Sequence, residues 1–408
     1  MSENDRIVFG GVDTHRDTHV AAAVDATGRV LGTSPFDADA AGYEQLGTWL
    51  GSWGRVARVG IEGTGSYGAG LSRHLLSIGV EVAEVNRPNR QLRRRWGKTD
   101  TVDAEAAARA VLSGQATGTP KTGDGPVEGI RMLVVARRSA VKARTQAINQ
   151  LHALVVTAPD QVKHQLGELS PKTRVKVCAA YRPGTAQTTI RYAKQALRSL
   201  ARRYQTLTAE IQQLDTEIHQ LCARANPALL AASGIGPETA ATLLVTAGDN
   251  PHRLTSEASF AALCGASPVQ ASSGRTVRHR LNRGGDRQAN NALWRIAMVR
   301  LRADPRTIEY AQRRQTEGKT RKEIIRCLKR YIARHVYQLL TNPHQTPSGA
   351  HLRCLRQNTH ITLAQAATAL HANPTSLSQL ERGQYHNHHL ATRYQTWLTT
   401  PPNPICKT

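Results

Sequence analysis

Two short apolar runs, each ending in a carboxylate, constrain this chain more than any other feature. Ile7-Val8-Phe9-Gly10-Gly11-Val12 ends at Asp13, and Val56-Ala57-Arg58-Val59-Gly60-Ile61 ends at Glu62. Runs of this length and composition read as buried strands of an open α/β sheet. Such sheets place ligands at the carboxyl ends of their strands, where Asp13 and Glu62 stand. A second acidic pair follows in Lys98-Thr99-Asp100-Thr101-Val102-Asp103-Ala104. Its i, i+3 spacing puts Asp100 and Asp103 on one helix face. Gathered carboxylates repel one another unless a hard cation neutralises them. The four therefore point to a divalent-metal site, with Mg²⁺ the usual ion for phosphoryl transfer.

The balance of charge indicates the partner. There are 54 Lys and Arg against 30 Asp and Glu, a net charge of +24 over 408 residues. That excess predicts a polyanion, with nucleic acid ahead of an anionic membrane. An acidic cluster in so basic a chain suggests a metal site that cuts or joins nucleic acid. Aromatic residues make up only 4%, which argues against a stacking platform for single strands. The six cysteines are scattered without a C-x-x-C pair, against zinc fingers or a disulfide framework and for a reducing cytoplasm. No N-terminal apolar leader and no long apolar span appear, so neither export nor a membrane is expected.

Residues 1–110 alternate strand and helix signals. The spacing predicts strands over His19–Asp25 and Arg29–Ser34, joined by an Ala26-Thr27-Gly28 turn. A short helix over Ala41–Leu50 precedes the strand to Glu62, and a helix over Tyr67–Ile78 precedes a strand over Glu81–Val85. Three antiparallel strands followed by strand–helix alternation suggest an RNase H-like α/β fold. The basic run from Arg87 through Arg93, Arg94 and Arg95 stands beside the Asp100/Asp103 pair, where phosphate contact is favoured over a solvated loop. Gly, Pro and Thr over 114–128 read as a linker.

Beyond the linker the pattern turns helical. Met132–Val156 reads as a helix carrying Arg137, Arg138, Lys142 and Arg144. Ile190, Ala193, Leu197, Leu200, Tyr204, Leu207, Ile211, Leu214, Ile218 and Leu221 keep an unbroken 3-4 spacing over more than four heptads. This predicts a coiled coil or a long antiparallel helical pair, with intramolecular and intermolecular packing both open. Pro227 ends that helix. Ser233-Gly234-Ile235-Gly236-Pro237 then resembles a helix-hairpin-helix, whose backbone N–H groups meet a DNA phosphate without reading sequence. A Ser272-Ser273-Gly274 turn leads into Arg275, Arg278, Arg280, Arg283 and Arg287. Thr320–Leu340 adds a basic helix that reads as a phosphate-facing or solvated face.

A separate module follows a Pro-rich break at Asn342–Ser348. A helix starts near Leu352, Thr362-Leu363-Ala364-Gln365 fits a capping box, Asn373-Pro374 opens a third helix and Gly383 closes it. With Ala367, Leu377, Ser378, Leu380-Glu381-Arg382-Gly383 and Trp397, this resembles the helix-turn-helix of phage-repressor-like proteins. Ser378 and Gln379 would face DNA. Leu363 departs from that pattern, which carries a phosphate-contacting glutamine there.

Gly11-Val12-Asp13-Thr14-His15, Ile61-Glu62-Gly63-Thr64-Gly65, Lys98 to Ala104, Ser233 to Pro237, and Ser272-Ser273-Gly274 with Gly284-Gly285 occur in this order. The chain thereby resembles the DEDD-type insertion-sequence transposases over roughly residues 6–340, with the tail outside the resemblance. The resemblance implies a RuvC-like metal-dependent domain over 1–128, a helical or coiled-coil region over 129–226 and a mainly α, serine-bearing domain over 227–343, to which the repressor-like pattern adds an all-α helix-turn-helix tail over 344–408. The transposase resemblance implies Asp13, Glu62, Asp100 and Asp103 as catalytic Mg²⁺ ligands and Ser273 as the nucleophile, with Ser272 the neighbouring alternative. It also implies double-stranded DNA at element ends and target, a structured guide RNA, and a homo-oligomer in the bacterial cytoplasm, associated with the nucleoid. Two other readings compete with a transposase or recombinase. One is a structure-specific Holliday-junction endonuclease that needs only the carboxylates. The other is a DNA-binding regulator without catalysis.

Overall fold

The computed structural model describes residues 6–85, 99–185, 187–276, 279–341, 347, 349–385 and 387–399. Arg93, Arg94, Arg95 and Arg278 lie outside the described residues. The chain divides into two compact units. Met1–Gly125 with Ala247–Thr255 form the first, and Pro126–Thr246 with Ser256–Thr408 the second.

In the first unit β1 (Ile7–Thr14), β2 (Thr18–Asp25) and β3 (Val30–Asp37) make an antiparallel meander. After α1 (Ala40–Ser52), β4 (Arg55–Glu62) pairs parallel to β1. Beyond α2 (Ala69–Ser77), β5 (Val82–Val85) pairs parallel to β4. The resulting order β3-β2-β1-β4-β5 is compatible with an RNase H-like fold. Val8, Val12, Val59 and Ile61 are fully buried with Leu46, Leu50, Leu71 and Leu75 from α1 and α2. α2 begins two residues later than its apolar pattern predicts. A tight turn follows Glu62, with Gly63 at φ +70° and Gly68 N–H donating to the Gly63 carbonyl.

The opposite face of the sheet is covered by α3 (Asp100–Leu112), and two glycines let it sit unusually close. A Cβ on Gly11 would fall 2.1 Å from the Ala108 nitrogen and 2.2 Å from the Ala104 oxygen. One on Gly60 would fall 2.5 Å from a Val111 methyl and 2.8 Å from the Ala107 oxygen. The bare backbone of β1 and β4 thus forms the bed of α3, which fixes where its first turn lies. The linker is held too: Asn250 donates to the Pro120 carbonyl at 3.0 Å and accepts from Thr122 N–H at 3.4 Å.

In the second unit α4 (Pro126–Val156) starts six residues before Met132, since proline suits a helix's first turn. It runs antiparallel to α7 (Thr189–Ala225) within the chain: Arg137 pairs with Asp215, while Arg144 lies 5.9 Å over the Tyr204 ring further along. The predicted seam of α7 is buried or half-buried throughout. The far end is closed by α5 (Asp160–Gly167) and α6 (Pro171–Ala180), whose Val162, Leu166, Val175 and Cys178 pack with Leu151 and Leu197.

After α8 (Pro227–Ala231) and α9 (Pro237–Ala247) come α10 (Glu257–Leu263), a small hairpin of β6 (Val269–Gln270) and β7 (His279–Arg280), and α11 (Arg287–Ala303). Next are α12 (Pro305–Thr316) and α13 (Arg321–Thr341). The tail holds α14 (Gly349–Asn358), α15 (Leu363–Ala369), α16 (Pro374–Glu381) and α17 (His388–Thr399) around Leu352, Leu377 and Tyr394. Its capping box at Thr362/Gln365 and its Asn373 N-cap form as the sequence predicts. Among the described residues no helix is long and apolar enough to cross a membrane.

Candidate functional site

β1 and β4 run side by side in parallel, so their carboxyl ends present Asp13 and Glu62 next to each other. Thr14 Oγ1 donates to the Glu62 carbonyl at 2.7 Å and ties the two ends together. Asp13 is buried, at 7% exposure. The seat of α3 on Gly11 carries its first turn to the same end of the sheet. Thr99 caps that turn by accepting from Val102 N–H, and Asp100 and Asp103 follow. Asp103 is 3% exposed, whereas the Asp100 side chain is 52% exposed.

The first unit brings Asp13 and Asp100 together around His15, a residue the sequence reading left without a role. His15 Nε2 lies 3.3 Å from Asp13 Oδ2 and 3.2 Å from Asp100 Oδ1. One donor atom from each of Asp13, His15 and Asp100 lies within 4.8 Å of the other two, a spacing that could hold a metal ion. Glu62 and Asp103 flank this group without belonging to it. His15 is carried by the β1–β2 turn, where its N–H donates to the Thr18 carbonyl. The available signal was a histidine two residues after a strand-end carboxylate. A centre of carboxylate oxygens suits a hard divalent cation.

Ser272 and Ser273 belong to the second unit, at the exposed tip of the β6–β7 hairpin. Ser273 and Thr276 exchange backbone hydrogen bonds at 3.1 and 3.0 Å across Gly274, whose φ is +54°. Gln270 Nε2 donates to Ser272 Oγ at 3.3 Å. Arg275, Arg280 and Arg283 are exposed on and beside the hairpin. Its base is firmly seated: a Cβ on Gly285 would fall 2.2 Å from the Gly265 nitrogen. Asp286 caps α11, Asn282 donates to the Ala262 carbonyl, and Asn290 donates to the Cys264 and Gly265 carbonyls. The hydroxyl-bearing turn is therefore exposed while its root is fixed.

Two basic faces read from the sequence are partly spent inside the protein. Arg137 pairs with Asp215, and Arg295 lies 2.8 Å from Glu238. The hydrogen bond from Arg295 holds the Glu238 carboxyl below its usual range, with the Arg137 and Arg138 charges adding to it. On α13, Lys329 donates to Asn290, Arg330 to the Glu257 carbonyl, and Arg334 pairs with Glu257 at 2.8 Å. Arg321, Lys322 and Arg326 remain exposed. At the Gly-Ile-Gly turn Gly234 has φ +77°, and Arg300 donates to the Ser233 carbonyl from beneath. Ser378 and Gln379 are half-buried on α16. Burial pushes the thiols of Cys178 to about 11 and of Cys222 and Cys264 to about 12, so these three stay protonated and inert at neutral pH.

Two segments of the chain match known protein families. Residues 10–158 match a DEDD-type IS110 family described as transposase, and residues 226–312 match the transposase IS116/IS110/IS902 family. A 43.6 kDa protein of the insertion element IS110 from Streptomyces coelicolor is 32% identical over 36% of this chain and 35% of its own length. The chain thus spans about a third of that relative. A protein of the same organism named for the mini-circle element IS117 is 25% identical over 78% of this chain and 90% of its own. The two family matches follow in order along the chain, and both are to transposase families of the IS110 type.

Proposed function

We propose that this chain is the transposase of an insertion element and that it cuts and rejoins DNA through a serine–phosphate link. The observation that carries the reading is the meeting of Asp13 and Asp100 at the end of the RNase H-like sheet, inside the DEDD-type family match. Glu62 and Asp103 complete the acidic set, and the donor chemistry fits a divalent cation, assigned as Mg²⁺. Bound there, that ion supplies Lewis-acid stabilisation of charge on the scissile phosphate.

Ser273 Oγ attacks the phosphorus, a P–Oγ bond forms, and the P–O bond to one DNA strand breaks. The serine proton passes to solvent at the exposed turn, and the released strand oxygen takes up a proton as it leaves. Arg275, Arg280 and Arg283, exposed around the turn, would offset charge on the phosphoryl oxygens. The phosphoester keeps the bond energy, so an incoming strand hydroxyl reverses the step without ATP. Arg278 and the basic run Arg93 to Arg95 join this phosphate-binding set. A structured guide RNA pairing with donor and target DNA is part of the proposal, supported by the family resemblance and the net charge of +24. So is a homo-oligomer. The tail, with its capped α15 and α16 joined through His371 at φ 48°, would act as a helix-turn-helix that presents Ser378 and Gln379 to DNA.

The test is strand exchange by Asp13→Ala, Glu62→Ala, Asp100→Ala and Asp103→Ala, with folding followed by circular dichroism. Each variant should fold and lose exchange, because removing one carboxylate also removes repulsion from its neighbours. Full activity in any two of them would overturn the metal assignment.

A further inference from the structure

We infer that His15 is itself a ligand of the metal centre, which makes that centre a mixed oxygen–nitrogen site that discriminates in favour of Mn²⁺ over Mg²⁺. The inference rests on the proposed metal centre and extends it. Two observations support it independently. The first is position: the His15 ring nitrogen stands between the two acidic side chains that converge, at 3.3 Å from Asp13 Oδ2 and 3.2 Å from Asp100 Oδ1. Donors held cis on one octahedral ion lie about 1.4 bond lengths apart, about 3 Å for bonds near 2.1 Å. His15 stands near that separation from each carboxylate, and all three donors lie within 4.8 Å of one another.

The second is how firmly the three are placed. Asp13 and His15 are separated only by Thr14, which is tied to the Glu62 carbonyl, and His15 N–H closes the β1–β2 turn onto Thr18. Asp100 is set by the Thr99 cap and by the close seat of α3 over Gly11. Each donor therefore comes from a backbone position fixed by its own hydrogen bonds or packing. The His15 side chain is 47% exposed, open to an entering ion.

Ligand chemistry then gives the selectivity. Mg²⁺ favours oxygen donors and keeps much of its water, while imidazole gains more from ions further along the first transition row. An imidazole among carboxylates adds little to Mg²⁺ binding and more to Mn²⁺ binding. Removing it should cut the preference for Mn²⁺ while the carboxylates continue to hold either ion.

The experiment is Mn²⁺ titration of the untagged full chain followed by electron paramagnetic resonance, with spin-echo detection of nitrogen coupled to the bound ion. Wild type should show one bound Mn²⁺ with imidazole nitrogen coupling. His15→Ala should lose that coupling, and its Mn²⁺ affinity should fall about tenfold. Mg²⁺, measured by competition, should change by less than about threefold. His15→Asn serves as a second variant with an oxygen donor, and should likewise bind Mn²⁺ without imidazole coupling. Asp13→Ala should abolish the bound signal, which assigns it to this centre and not to the other histidines. Mn²⁺ bound at wild-type affinity without nitrogen coupling would overturn the role of His15 and leave the carboxylate centre standing. No Mn²⁺ binding by wild type, or binding unchanged in Asp13→Ala, would overturn the metal centre itself.

Discussion

At the scale of single residues, the acidic centre depends on a side chain that is missing. Gly11 lies under α3, and any Cβ there would sit 2.1 Å from a backbone nitrogen. Neither helix nor strand can yield that distance without lifting the first turn that carries Asp100 and Asp103. Gly11→Ala should therefore lower stability by about 3 kcal/mol or more, at the upper end of overpacking costs, and abolish activity. Urea unfolding of the variant checks this. Stability within about 0.5 kcal/mol of wild type would mean the seat is loose. The sequence shows Gly10-Gly11 only as part of a strand-like run. It does not show which of the two lies under a helix, because that depends on the register between strand and helix. His15 was hidden for a similar reason: its position two residues beyond Asp13 acquires meaning only once the turn after β1 swings it back over the carboxylates.

Elements were easier to read than the contacts between them. The strands of the first unit, the β2–β3 turn, the 3-4 seam of α7 and the caps of α15 and α16 all follow local rules of period, turn and cap, and those rules are visible in the sequence. α5 and α6 are short and weakly patterned. They take their place from the open end of the α4–α7 pair, so no local signal announces them. Ion pairs across elements were also invisible, since Arg137 meets Asp215 across 78 positions.

Arg356 on α14 reaches Glu381 on α16 at 2.7 and 2.9 Å, and Tyr394 on α17 donates to the same carboxylate at 2.8 Å. The Arg356 and Glu381 side chains are only 13% and 3% exposed. Glu381→Ala would leave the arginine charge and the tyrosine hydroxyl buried without their acceptor. A loss of about 3–5 kcal/mol in the stability of the tail is expected, read as lost amide-exchange protection over 349–399. Unchanged protection would show that the pair contributes little.

For the whole molecule, the two family matches end before the tail begins, and all five ordered motifs precede Pro343. Deleting 344–408 should leave strand exchange detectable, with reduced affinity for DNA and a shallower dependence of binding on salt. Complete loss of cleavage by a well-folded truncation would assign the tail to the catalytic assembly. The centre itself was legible because its carboxylates stand at strand ends and at a helix start, positions that a sequence marks. The joining of segment 247–255 to the first unit was not, since it rests on Asn250 reaching Pro120 and Thr122 across 130 and 128 positions.

Whether Ser273 takes the broken strand onto itself is read by trapping the covalent link. Labelled element-end DNA is incubated with wild type, Ser272→Ala and Ser273→Ala, then run on a denaturing gel, and the linked peptide is identified by mass spectrometry. The hairpin tip is exposed, so either substitution should cost little stability. A protein–DNA adduct is expected in wild type and in Ser272→Ala, as a phosphodiester on Ser273, and none in Ser273→Ala. An adduct that persists in Ser273→Ala and disappears in Ser272→Ala would move the nucleophile back by one residue. Strand cleavage by wild type with no trapped adduct would exclude Ser273 as nucleophile and make water or a DNA hydroxyl the attacking group.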